Sequence, residues 1–196
     1  MADSYESVEL VPDVTVANVT RAVAIAALTA ILAVYGSIDV PGIAVPFSTQ
    51  PFGVFFAGLL LGPLWGGFSM LLYVVVGLAG APVFQGGASG IGYFLGPTGG
   101  FLVGFLLAAV LIGAIVHRDV EPGDLGDSSV VTLAAALAVG LAVIYAVGVP
   151  WLAWAQGIPL GTAAGVMAPF VPPDALKAAL TVAIVAGGGV ALDRAE

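Results

Sequence analysis

Several stretches of roughly 18 or more residues in this chain carry no charged side chain, and nothing else in the sequence constrains the fold as strongly. Runs of that length are the signature of helices that cross a lipid bilayer. Composition agrees: 60% of the 196 residues are hydrophobic and 8% are charged, where a soluble domain carries about 25% charge. So few ionic groups cannot cover a water-facing surface. The chain therefore reads as an all-α, polytopic protein of the cell (cytoplasmic) membrane, with the lipid bilayer as its surroundings.

Several function classes drop out at once. The segment before Arg21 holds Asp3, Glu6, Glu9 and Asp13 and no cation, the reverse of a secretory signal. Zero cysteines exclude a disulfide framework and thiolate metal or redox sites. The single histidine, His117, cannot build an imidazole cluster, so no metal and no cofactor is expected. The net charge of −8 comes from the N-terminal segment and from Asp119 to Asp127. Nucleic acid is excluded as a partner because nothing basic is present to neutralise phosphates.

Hydropathy and glycine/proline punctuation predict spans at Val19–Gly36, Gly99–Val116, Val130–Val149 and Asp174–Leu192. The residues between Phe52 and Ala81 are apolar throughout but interrupted by Gly62-Pro63 and Gly66-Gly67. They form either one kinked helix or two short helices paired as a hairpin that turns between Leu61 and Gly67. Positive charge decides. With the hairpin there are six transmembrane helices, and Arg21, Arg118 and Arg194 all fall on one side, giving an N-in/C-in topology. Residues 1–18 then form an acidic cytoplasmic segment and residues 19–196 a single six-helix membrane domain. Trp151 and Trp154 are expected at the outer interface and Trp65 at the inner one. The loops 37–51, 82–98 and 150–173 contain no Lys or Arg and lie outside. Irregular backbone near membrane depth survives only where protein or a cavity satisfies it, so these loops are candidates to lid a small-molecule site.

Polar residues are rare enough to be weighed singly. Lys177 lies in the first turns of the last helix with Asp174 three residues earlier, on the same face. In the plain reading Lys177 snorkels to the interface and Asp174 caps the helix after Pro172-Pro173. Against it, a cation near a helix N-terminus opposes the dipole, and an ionisable group inside a span is by default functional. A bound carboxylate would reconcile both, since helix N-terminus and ammonium attract the same anion. Ser48, Thr49 and Gln50 enter the second helix either as caps or as ligand contacts. The glycine-rich loop offers Phe84, Gln85, Ser89, Tyr93 and Thr98, but without strand or G-K-[ST] it is no nucleotide loop. Tyr73 is a hydroxyl within a span that needs a partner. The stripe Ala22, Ala26 and Ala30 marks either a tightly packed internal helix or a docking face for another subunit. His117 and Arg118 read as a cytosolic end-cap. A lone histidine at the inner end cannot meet Asp174 and Lys177 at the outer, so no catalytic triad assembles and an enzyme is not expected.

Six segments occur in fixed order: Val45-Pro-Phe-Ser-Thr-Gln, Ala57-Gly-Leu-Leu-Leu-Gly-Pro63, Leu72-Tyr73 with Gly77, Gly80-Ala-Pro-Val-Phe84, Gly96-Pro-Thr-Gly-Gly-Phe101 and Pro173-Asp-x-x-Lys177. Through them the sequence resembles the BioY family, the biotin-binding S components of energy-coupling factor (ECF) vitamin transporters; residues 118–165 match by hydrophobicity only. The resemblance implies a six-helix fold whose outer loops close over one biotin. It also implies that Ala22, Ala26 and Ala30 face a transmembrane coupling (T) subunit driven by cytoplasmic ABC-type ATPases. Asp174 and Lys177 carry over directly to the biotin site, and Ser48, Gln50, Tyr73, Phe84 and Tyr93 join them as candidate contacts. Two departures stand out: Ser48 replaces the family's usual Thr, and the membrane arginine of some members is absent. Competing readings are an S component for another vitamin, and a structural or assembly protein that transports nothing. Vitamins lacking a carboxylate fit a lone outer lysine less well.

Overall fold

The computed structural model describes residues 13–39, 41–42, 44–119, 123, 125 and 128–187. The expectations that fall on Asp3, Glu6, Glu9, Asp127, Leu192 and Arg194 lie outside the described residues.

Seven α-helices stand among the described residues: α1 (Asp13–Tyr35), α2 (Gln50–Leu78), α3 (Gly90–Phe94), α4 (Gly99–His117), α5 (Val130–Gln156), α6 (Leu160–Met167) and α7 (Val171–Ala186). A small antiparallel hairpin, β1 (Ser37–Ile38) and β2 (Phe47–Ser48), sits between α1 and α2 and pairs Ser37 with Ser48. Among the described residues, five helical stretches are long and apolar enough to cross a membrane, the last of them running Leu160–Ala186. Helix α4 packs between α2 and α5, α1 lies against α2, and α7 leans on α5 and α2.

Helix α2 is not straight. Gly62 has φ 70° and ψ −177°, a backbone region open to glycine and strained for other residues, and Pro63 follows it. The consequence reaches the helix ends: Gln50 Nε2 donates to the Tyr73 hydroxyl at 2.7 Å, although 23 residues of straight helix would span about 35 Å. A side chain at Gly66 would meet the Ala57 carbonyl at 2.6 Å, so the halves on either side of Gly62 lie against each other. Helix α4 reaches the break through Gly113, where a Cβ would come within 2.4 Å of Pro63 N.

The break leaves a carbonyl without a partner. Leu59 would ordinarily accept from the residue four positions on, which is Pro63 and has no N–H. His117 at the end of α4 supplies the missing donor, with Nε2 lying 2.7 Å from the Leu59 oxygen. Its other nitrogen, Nδ1, accepts the Gly123 N–H at 2.9 Å. Only the neutral tautomer protonated on Nε2 satisfies both contacts.

One expectation is corrected. The stretch 150–173 is mainly helical: α5 continues to Gln156, α6 follows, and a 3₁₀ turn at Ala168–Phe170 leads into α7. Its prolines open helices instead of excluding them. Pro159 precedes α6 and Pro172 lies in the first turn of α7, where the missing N–H would have had no partner anyway. Pro150 alone lies inside a helix, as membrane spans tolerate. The alanine stripe on α1 packs within the chain. Ala22 is fully buried and Ala26 nearly so, with Ala30 partly buried against the same core. Ser69 of α2 donates to the Ala22 carbonyl at 2.8 Å, so the small side chains serve close packing of α1 on α2 within this chain. That outcome follows from membrane physics: helices associate through close van der Waals contact and interhelical hydrogen bonds, and alanine permits both.

Replacing His117 with Phe should leave the Leu59 carbonyl unpaired and lower the stability of the detergent-solubilised chain by about 1–3 kcal/mol, read as an earlier thermal unfolding transition.

Candidate ligand-binding site

At the end of the molecule opposite His117, three irregular segments converge. The β1–β2 hairpin is fixed to the end of α1, where Thr49 N donates to Gly36 O at 2.9 Å and Thr49 Oγ1 to Leu32 O at 3.0 Å. From the loop before α3, Gln85 Nε2 reaches the carbonyls of Pro46 and Phe47, both at 3.3 Å. Phe47 stacks on Phe170 of the 3₁₀ turn with ring centroids 4.2 Å apart. Trp151, expected only as an interfacial aromatic, also donates its indole N–H to Gly96 O at 2.9 Å and so ties the loop before α4 to α5. Trp154 beside it is exposed.

Under this cover lies a cavity of about 50 Å³. Its polar wall includes Ser48, Gln50, Gln85, Tyr93, Tyr145 and Asp174. Phe101, Phe105, Ile144, Met167 and Phe170 give it apolar sides. Such a lining, mostly apolar with a few convergent polar groups, is what a small amphipathic ligand requires.

The polar groups form one connected chain of hydrogen bonds. Lys177 Nζ donates to Asp174 Oδ1 at 2.5 Å and to the Ser48 carbonyl at 2.6 Å. Tyr145 on α5 donates to the second oxygen, Asp174 Oδ2, at 2.8 Å. Ser48 Oγ donates to Gln50 Oε1 at 3.0 Å and accepts the Gln50 N–H at 3.1 Å. Gln50 Nε2 continues the chain to Tyr73. Four parts of the fold, α5, α7, β2 and both ends of α2, are thereby connected through side chains. The ion pair is largely enclosed, its side chains 13% and 14% exposed, and each partner makes one further hydrogen bond, Lys177 to Ser48 O and Asp174 from Tyr145, as a buried charge demands. Burial pushes the Tyr93 hydroxyl above its ordinary range, against a lowering hydrogen bond to Thr98, so it meets a ligand as a neutral group.

Of the residues singled out from sequence, Ser48, Gln50, Tyr93 and Asp174 line the cavity directly, and Lys177 is held to Asp174. Tyr73 and Phe84 stand one layer behind. Tyr73 is bound to Gln50, and Phe84, fully buried, stacks on Tyr93 at 5.3 Å and meets Tyr73 edge-on at 5.7 Å. Ala22, Ala26 and Ala30 lie on α1 and do not line the cavity. Sequence reasoning missed Tyr145. The signal that singled out Tyr73, a lone hydroxyl within an apolar span, applied equally to Tyr145.

Comparison with known proteins follows the same lines. The BioY family description matches residues 6–194. A probable biotin transporter BioY of Pyrococcus horikoshii is 39% identical over 160 residues, covering 82% of this chain and 90% of that protein. The biotin transporter BioY of Rhodobacter capsulatus is 37% identical over 174 residues, covering 84% and 88%. Among solved structures, the S-component for biotin from an ECF-type ABC transporter superposes with a TM-score of 0.80 at 32% identity, over 91% of this chain and 93% of that one. FolT bound with folic acid shares the fold alone, with a TM-score of 0.60 at 15% identity over 89% and 91%.

A Cβ at Gly77 would lie 2.2 Å from the Phe84 ring, so Gly77→Ala should displace Phe84 and Tyr93 together. Overpacking of this kind costs about 1–3 kcal/mol, and the melting temperature and ligand affinity of the variant should fall in parallel.

Proposed function

The chain belongs to the BioY family, and we propose that it captures biotin outside the cell and delivers it inward, powered by an energy-coupling module. It is a transport subunit and not an enzyme. The observation that carries the reading is the covered cavity whose wall includes Asp174, itself paired with Lys177, in a fold shared with a biotin S-component.

Biotin offers a fused ring system, an apolar chain, a ureido group and a carboxylate. The aromatic and aliphatic sides of the cavity suit the rings and chain, while Ser48, Gln50, Tyr93 and Asp174 offer partners for the ureido group. Lys177 already donates two hydrogen bonds, which leaves its third N–H for the biotin carboxylate. Tyr73 and Phe84 support Gln50 and Tyr93 from behind. At about 50 Å³ the cavity is far below the roughly 300 Å³ at the small end of ligand sites, so the covering segments must part to admit biotin. An S component for a vitamin without a carboxylate would leave Lys177 unexplained, and a structural protein would need no such cavity.

We further read six crossings in the cell membrane with an N-in/C-in topology. The contact between Gln50 and Tyr73 supports counting α2 as a hairpin of two short spans. The contact between His117 and Leu59 brings the break at Gly62 to the end of α4 that carries Arg118, in keeping with a positive inner face. Partners are a transmembrane T subunit and cytoplasmic ATPases, since this chain has no phosphate-binding loop of its own.

Removing one partner of an enclosed charge pair costs about 2–5 kcal/mol. Lys177→Ala should therefore weaken biotin binding, measured by isothermal titration on purified protein, at least tens-fold; unchanged affinity would sink the assignment. Because the chain has no cysteine, topology can be read cleanly. A cysteine at Ser128 should react with an impermeant thiol reagent only from the cytoplasmic side, and one at Gly42 only from outside.

A further inference from the structure

We propose that Tyr145 is a positioning residue of the biotin site, holding Asp174 in the orientation that aims Lys177. The inference rests on the proposed function and concerns a residue that touches the ion pair from a helix outside α7.

The geometry is specific. An aspartate carboxylate turns readily about its last torsion, whose preference is broad. Asp174 and Lys177, three residues apart on one helix, could on their own satisfy each other in several arrangements. Here Asp174 Oδ1 takes the ammonium while Oδ2 accepts from Tyr145 at 2.8 Å, so the plane of the carboxylate is fixed from both ends. Fixing it leaves the ammonium where it also reaches the Ser48 carbonyl. Tyr145 is itself held, its ring meeting Phe101 edge-on at 6.3 Å and 88°, while the neighbouring Ile144 packs against Gly104 of α4. A tyrosine hydroxyl at this depth is costly unless bonded. A phenylalanine would fill the same space without that cost. Its hydroxyl is explained by the bond to Asp174, which is also the polar link from α5 into the site. Because Tyr145 lines the cavity, direct contact with biotin is the competing role, and the two make different predictions.

The test uses the full chain in detergent. Tyr145→Phe should weaken biotin binding about tenfold, the scale of a hydrogen bond to a charged group, and should cause no further loss when added to Asp174→Asn. An equal loss in both backgrounds would mean that the hydroxyl meets biotin itself, and no loss in the unaltered background would mean that it orients nothing; either overturns the proposal. A second measurement needs neither ligand nor Asp174→Asn. Lys177 is the chain's one lysine, so its acylation by an amine reagent, followed on its own peptide by mass spectrometry, reports how firmly it is held. Tyr145→Phe should speed that reaction several-fold, and an unchanged rate would refute the assignment. Failure of the unaltered chain to bind biotin would remove the function and this role together, whereas binding that Tyr145→Phe leaves intact removes this role alone.

Discussion

A bilayer offers no water to a main-chain carbonyl or amide, and that constraint governs how this chain departs from regular helix. At the break in α2, Pro63 deprives Leu59 of its donor and the chain's one histidine replaces it. At the entry to α2, the Ser48 carbonyl is taken by the chain's one lysine. In a sequence with so few polar side chains, both of these basic groups therefore serve backbone carbonyls at irregular points. The site and the helical framework share one solution to one problem.

The lysine does more than satisfy a carbonyl. Its ammonium is held between Asp174 and Ser48, and Asp174 in turn between Lys177 and Tyr145. Moving two charges out of water costs several kcal/mol per ion, and stability alone does not account for such a pair, since apolar side chains would fill the space more cheaply. A pair of which Asp174 lines a cavity, connecting α7, α5 and the covering hairpin, fits recognition of a polar ligand. The remaining cover is held by aromatic stacking between Phe47 and Phe170 and by Gln85 on the hairpin carbonyls.

Glycine supplies the geometry in which these polar contacts operate. Gly113 brings α4 against the broken turn, and Gly77 accepts the Phe84 ring that backs Tyr93. Packing inside this membrane domain thus depends on absent side chains as much as on present ones, in keeping with helix association where apolar burial gives no advantage over lipid.

The sequence by itself determined the membrane setting, the starts of α4 at Gly99 and α5 at Val130, the interruption of the stretch after Phe52, and the placing of Asp174 and Lys177 on one helix face. Each of these depends on local chemistry: charge absent over a span's length, a glycine–proline break, an ionisable pair at helical spacing. Only the tertiary structure decided the rest. It turned 150–173 from loop into helices, because proline at a helix start and proline in a loop look alike until the orphan N–H groups are located. It packed Ala22 and Ala26 within the chain, because small size permits packing against any neighbour and names none. Tyr145 and Phe170 entered the site, and Tyr73 and Phe84 stepped behind it, because which hydroxyl or ring faces a cavity depends on helix rotation and crossing. Those are set by partners far away in sequence, and no local pattern records them.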